Sequence, residues 1–462
     1  MLSRRELLFL VALFIASLPA VTARIYSSDE VEYFSYLRSL WFDHDVSFEN
    51  EYRYFYDHRI AQTPDFHQTF LELQTSTGRR INYGTIGCAM LWAPFYGVAD
   101  VATRVMRAMG RTVEVDGYAQ PYLSAVAYGS AFYGFAAVVI AIAVARRMVG
   151  KYETSSGVIV WLGTPLLFYM YVAPPFSHAC SAFAVALFVA VWLKVRETWS
   201  VRGIVVLALA AALMAMVREQ DILCALGPAV DFALERNQRP QRKLMAAAVG
   251  AAAFLIGYLP QLIAYQALNG FPRPSPLVTR KMFWYSPHAL QVLLDPEHGF
   301  FFWTPLALLA VAGLILLVAV ARSVIGEEAE TGDDRQIAGC MLLMVAMQVY
   351  VSGAVESWTV AGAFGQRRFV AVTIFLVIGL AAFRRWVAFR GARLAANIAV
   401  ALCVWWNLAL TLEFGTSMMD RQKLELRRNA YDAFVTLPRT APKLLYRYFT
   451  NRSSFYKPAA SD

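Results

Sequence analysis

The sequence predicts an all-α polytopic membrane protein: a bundle of about eleven transmembrane helices with a large first extracytoplasmic loop. Three observations predict it. Apolar runs long enough to cross a ~30 Å hydrocarbon core recur along the chain. Charged residues make up only 16% of 462 positions, against 58% hydrophobic, where a soluble domain carries ~25% charge. And the basic residues fall unevenly between alternate short loops, which is how membrane helices are oriented.

Residues 1–24 read as an N-terminal signal anchor. Arg4 and Arg5 precede the apolar stretch from Leu7 to Val21. Ala20 and Ala23 would suit a cleavage site, but many spans follow, which favours an uncleaved anchor. Residues 25–120 form the large extracytoplasmic loop. Ser27-Ser28-Asp29-Glu30 has the S-x-x-E form of a capping box and opens an amphipathic helix with Val31, Phe34, Leu37 and Trp41 near one face. Within this loop Gly84–Met106 is apolar enough to raise a question of topology. If it does not cross, sixteen basic residues lie in inner loops, Arg146, Arg322, Arg384 and Arg393 among them. Six lie in outer ones: Arg218, Arg273, Arg280, Lys281, Arg367 and Arg368. The positive-inside bias therefore predicts a re-entrant or interfacial helix, broken near Ala93-Pro94, with the N-terminus inside.

The bundle occupies 121–412. Its spans, after the anchor at 7–23, are 121–145, 155–173, 178–194, 202–217, 220–235, 244–268, 299–321, 337–353, 369–383 and 395–412. The tail, 413–462, is polar and basic and lies outside. Leu437-Pro438 and Ala441-Pro442 are expected to break it into short surface helices. No internal repeat is visible, which weighs against inverted-repeat transporters.

The net charge of +9 sits largely in short loops and orients the spans, so it does not imply nucleic acid as a partner. Cys88, Cys180, Cys224, Cys340 and Cys403 are scattered through apolar segments without paired spacing and read as buried thiols.

The ionisable residues on the outer face are the candidates for chemistry. Asp29 and Glu30 stand directly behind the first anchor. One carboxylate there can act as a general base, while Glu30 can also cap its helix. Arg367 and Arg368 follow Gly362 and Gly365. Their side of the membrane weighs against a topological anchor, and paired guanidinium groups suit a phosphate. Arg218 ends a short span and either joins that site or pairs with Glu219 or Asp221. His178, in Pro174-Pro175-Phe176-Ser177-His178, can donate to a phosphate or a sugar. Arg280 and Lys281 lie in the second long outer loop. No metal site is expected from histidine spacing. The residues point to no definite cofactor, and a divalent cation at Asp43-His44-Asp45 is the one candidate. Outer aromatics such as Trp284 and Trp358 fit an interfacial belt or a stacking surface for a sugar ring.

Taken in order, these residues resemble the GT-C superfamily of integral-membrane glycosyltransferases, in its protein O-mannosyltransferase and aminoarabinose transferase branch. Asp29-Glu30 looks like that family's acidic motif in the first outer loop. The segment Asn82–Pro94, Val217-Arg218, His298–Pro305 and Gly365–Phe369 look like its later motifs. Relatives often carry a further acidic residue where this chain has Phe176-Ser177-His178. The resemblance implies a polyprenyl-phosphate-linked sugar donor bound from the membrane lipid, an outward-facing site, and inversion at the anomeric carbon. The acceptor is a lipid, glycan or protein of unspecified kind, and the setting a bacterial inner membrane. The rival class is a transporter or flippase of a lipid-linked anion. Gathering of ionisable groups at one face rather than at the midplane favours the enzyme.

Overall fold

A computed structural model describes residues 2–61, 64–236, 238–319 and 332–455. Arg322 and the end of the tail, 456–462, lie outside them. The regular structure of the described chain is helical, with two isolated β-bridges, Gln74 with Arg80 and Met282 with Val355.

Six described helices are long and apolar enough to cross a membrane: Gln120–Met148, His178–Val195, Pro240–Asn269, Asp334–Ala354, Arg367–Phe389 and Arg393–Gly415. Val201–Val217 and Leu306–Ala319 are shorter and equally apolar. This is a multi-pass membrane protein, because in lipid a helix alone satisfies its own backbone without closing a barrel. Burial separates centre from rim. The apolar window of Arg367–Phe389 is 78% buried, against 17% for Pro240–Asn269. The first is therefore the axis of the bundle and the second faces lipid.

Leu306–Ala319 packs along Thr373–Phe389 through glycines. A Cβ at Gly313 would stand 1.8 Å from the Gly379 carbonyl oxygen, and one at Gly379 2.0 Å from that of Ala310. Small residues let backbones approach this closely, the usual basis of tight packing between membrane helices.

Several expected spans are assembled from two pieces each, 299–321 from Phe300–Trp303 and Leu306–Ala319 and 369–383 from Arg367–Val372 and Thr373–Phe389 among them. Arg4–Ser17 continues into the 3₁₀ turn Leu18–Ala20, and Glu219–Ala225 into Leu226–Leu234. The span expected at 155–173 divides into Glu153–Gly163 and Leu166–Tyr171. Carbonyls freed at that break are met by Asn407, whose Nδ2 donates to Leu162 at 2.8 Å and Thr164 at 3.1 Å.

Two expectations about proline are corrected. Gly87–Ala108 runs through Pro94 as one helix. The side-chain hydroxyl of Tyr133 donates to the Leu91 carbonyl beside the lost bond, at 2.8 Å, and packing against Gln120–Met148 holds the helix together. Its exposed Met90, Val98, Val101, Val105 and Met109 form one apolar stripe, as an interfacial helix requires. In the tail, Leu437–Thr450 contains both Pro438 and Pro442. Pro438 comes just after the π-helical segment Asp432–Thr436, where the Ala433 carbonyl accepts from Trp405 Nε1 at 3.1 Å. Pro442 then forfeits a single bond, to the carbonyl of Pro438. The tail returns to the start of the chain: Arg452 donates to the carbonyl of Ala20 at 2.7 Å and of Val21 at 3.2 Å.

Candidate active site

The loop helix Ser28–Arg38 carries the first half of the site. Ser27 caps it: its side chain accepts from the Glu30 backbone at 3.4 Å, while Glu30 Oε2 accepts from the N–H of Tyr26 at 2.6 Å and Ser27 at 3.0 Å. This reciprocal box satisfies donors that a helix start leaves open. It also turns Glu30 inward, 0% exposed. Burial, the largest influence, raises its carboxyl to about 7 against the backbone donors. One residue earlier, Asp29 points the other way and stays partly open. The box thus separates the two carboxylates by one helical step.

Asp29 Oδ2 meets Arg367 Nη1 at 2.8 Å. Arg367 opens the axial helix behind a glycine turn. Gly365 has φ +61°, and a Cβ there would stand 2.9 Å from the Pro165 ring, so glycine fits on both counts. Gln366, fully buried, staples the turn by donating to the carbonyls of His298 at 2.9 Å and Trp358 at 3.0 Å. The Arg367 guanidinium also lies over the Phe176 ring, 5.3 Å from its centre. Arg368 turns away from this pair and donates to the carbonyl and hydroxyl of Ser357, both at 3.0 Å.

Arg218 stands at the end of Val201–Val217. Its Nη1 donates to Ser177 Oγ at 3.1 Å and meets His178 Nδ1 at 3.2 Å. An arginine has only donors, so Nδ1 accepts and the imidazole proton sits on Nε2. That Nε2 is buried and has no partner among the described residues, as is Arg218 Nε. The His178 ring is held by Tyr169, centres 4.5 Å apart, and by Phe176. The alternative pairing of Arg218 with its acidic neighbours does not occur among the described residues. Asp221 accepts from Ser181 at 2.6 Å, and Glu219 from two tyrosines.

Lys281 approaches from the second long loop, its Nζ 5.3 Å from the Tyr83 ring centre. Arg280, beside it, is exposed at the end of Pro276–Thr279. The structure therefore gathers Asp29, Arg367, Arg218 and His178, brings Lys281 to their edge, and leaves Arg280 in the open. Asp43 and Asp45, the cation candidates, are engaged by protein donors, Asn50 on Asp43 at 2.7 Å and Ser39 on Asp45 at 2.8 Å. Among the described residues no group of three metal-ligating side chains occurs.

Sequence reasoning missed Glu32. It follows Asp29 by three residues, the spacing of one helical face, and that spacing was the available signal. Glu32 accepts from the Tyr83 backbone at 3.3 Å. Burial, then the charge of Asp29, push its carboxyl well above the ordinary range, with Lys281 and Arg367 acting against them. Also missed were Glu219 and its partners Tyr258 and Tyr265.

No family model matches the sequence, and no curated protein matches it. Solved structures do. The crystal structure of ArnT from Cupriavidus metallidurans, bound to undecaprenyl phosphate, superposes with a TM-score of 0.54 at 14% identity. The match covers 98% of this chain and 79% of that one. An identity this low speaks for architecture alone, and over nearly its whole length the chain shares the fold of ArnT.

Proposed function

We propose that the protein is a membrane glycosyltransferase. It moves a sugar from a polyprenyl-phosphate donor to an acceptor hydroxyl, on the extracytoplasmic side and with inversion. The observation that carries this reading is the Asp29–Arg367 pair at 2.8 Å. A carboxylate and a guanidinium meet at the mouth of a lipid-facing bundle, near an Arg218 that keeps a free donor. The fold is shared with a protein whose structure holds undecaprenyl phosphate, which supports a lipid phosphate as the anionic half of the donor.

The chemistry follows from these groups. Donor phosphate attracts Arg218 and Arg367 through charge-assisted hydrogen bonds. As Arg367 turns to the phosphate, an oxygen of Asp29 becomes free to accept a proton. The acceptor hydroxyl gives its proton to Asp29, and its oxygen forms a bond to the sugar C1 on the face opposite the phosphate. The C1–O bond to phosphate breaks, and the lipid phosphate leaves with that electron pair. Its growing charge is met by the two arginines and by the Nε2–H of His178, as preorganised donors do for developing anions. Arg368 holds the turn through Ser357, and Lys281 lines the approach.

Asp29→Asn tests this directly. Asparagine keeps the size and loses the proton acceptor. Transfer from a polyprenyl-phosphate sugar in liposomes falls ~10²–10⁴-fold, the scale of general-base catalysis, with thermal stability held. Transfer near the wild-type rate would remove Asp29 from the mechanism.

A further inference from the structure

The mouth contains polar groups that the transfer step does not use. Glu219 directly follows Arg218. Its Oε1 accepts from the hydroxyls of Tyr258 at 2.8 Å and Tyr265 at 2.7 Å. Tyr258, Gln261 and Tyr265 lie on the rim helix Pro240–Asn269 at i, i+3 and i+7, which is one face. Gln261 is 0% exposed; its Oε1 accepts from the Ile86 backbone at 2.9 Å, and its Nε2 has no partner among the described residues. The loop helix adds Tyr36, also 0% exposed, with a hydroxyl that has no described partner. That hydroxyl lies in the fields of both Glu32 and Glu219. Asp29, Glu32 and Tyr36 share one face of the loop helix by the same spacing. Two polar stripes therefore meet at Glu219, one starting at Asp29 and the other on the rim.

Buried donors without partners are costly and rare. Several around one carboxylate call for a ligand with matching groups. Glu219 is fixed through one oxygen, and Oε2 carries no bond to a described residue. An anion would be repelled by that carboxylate, and an apolar chain would leave Tyr36 and Gln261 unsatisfied. A polyol fits both demands, because each hydroxyl donates once and accepts as well. Position narrows the choice. A sugar joined through C1 to a phosphate on Arg218 has its other hydroxyls within one ring of that guanidinium, and the next residue is Glu219.

We propose that Glu219, held by Tyr258 and Tyr265, is the subsite for the ring hydroxyls of the donor sugar and sets which sugar is transferred. This rests on the donor reading above. Glu219 takes no part in electron flow. Its Oε2 accepts from a sugar hydroxyl, while Tyr36 and Gln261 donate to sugar oxygens.

The experiment separates the sugar from the phosphate. Full-length protein in lipid nanodiscs is titrated with undecaprenyl phosphate and with undecaprenyl-phosphate hexoses, pentoses and amino sugars. Wild type is expected to bind one glycosylated lipid at least ~10-fold tighter than the bare phosphate, the scale of one charge-assisted bond. Glu219→Gln loses most of that margin and keeps its affinity for the bare phosphate. The double variant Tyr258→Phe with Tyr265→Phe keeps the ring volumes and loses the same margin. Equal loss for both ligands in these variants would make Glu219 a support for Arg218 and overturn the proposal, as would an unchanged margin. A wild type that binds neither lipid would instead sink the donor reading itself.

Discussion

The axial helix makes opposite kinds of contact at its start and at its middle. At Arg367 it enters a seam of charges, where the loop helix supplies Asp29 at 2.8 Å. At Gly379 it lies against Leu306–Ala319 so closely that a Cβ would come 2.0 Å from the Ala310 oxygen. The start is held by an ion pair between two side chains. The middle is held chiefly by backbone against backbone, with the Leu314 side chain beside it. The difference teaches how a polar mouth can stay adjustable in a membrane protein. Placement of Arg367 is secured by the dry contact below it, and its partner can change without loosening the bundle.

The contrast can be broken most severely at the dry contact. Gly379→Leu drives side-chain atoms into the facing backbone. The expected loss exceeds ~4 kcal/mol, the exceptional end of single substitutions, and purified protein should lack a monodisperse folded peak in detergent. A normal elution profile and a thermal midpoint within a few degrees of wild type would show that the contact yields.

The polar start should behave otherwise. Arg367→Ala removes a charge-assisted contact to phosphate worth ~1.5–3 kcal/mol, so donor affinity drops about 10–100-fold. Asp29 is partly exposed, with 39% of its side chain accessible, and water replaces the lost partner, so the thermal midpoint should stay near wild type. A large fall in the midpoint would mean that the pair is structural and the two contacts are alike.

The smallest effect concerns Glu30, which burial raises from 4.5 to about 7. Its folded state holds a proton that the unfolded chain releases earlier. Its contribution to stability is therefore present below about 4.5 and declines as pH rises to about 7. Glu30→Gln cannot lose that proton. Between pH 5 and pH 8 the wild-type midpoint should fall further than that of the variant. Parallel curves would show that Glu30 ionises alike in both states.

Much of the architecture was legible because lipid demands long apolar runs, and such runs are visible without tertiary knowledge. The division at Thr164-Pro165 was not. It depends on Asn407, remote in sequence, lending an amide to carbonyls that would otherwise be stranded. Pro94 was misjudged for a related reason, since Tyr133 and the neighbouring helix sustain a helix that local rules would end. In the candidate site, Asp29, Arg218 and Arg367 stood out as charges in places that neither lipid nor topology explains. Tyr258 and Tyr265 did not, because a tyrosine in a span is ordinary until its hydroxyl is seen on Glu219. Glu30 was legible as a cap, and the depth of its burial was not, since the residues that cover it are distant in sequence.

The return of the tail has a consequence for biosynthesis. Residue 452 donates to residue 20 across a separation of 432 positions. Chains are made from the N-terminus at ~5–20 residues per second, and domains assemble as their parts emerge. The end of the first helix therefore waits until residue 452 has been made for the donor to its carbonyls. The helices between the two residues are already made when that bond closes. A chain stopped short of residue 452 lacks that bond.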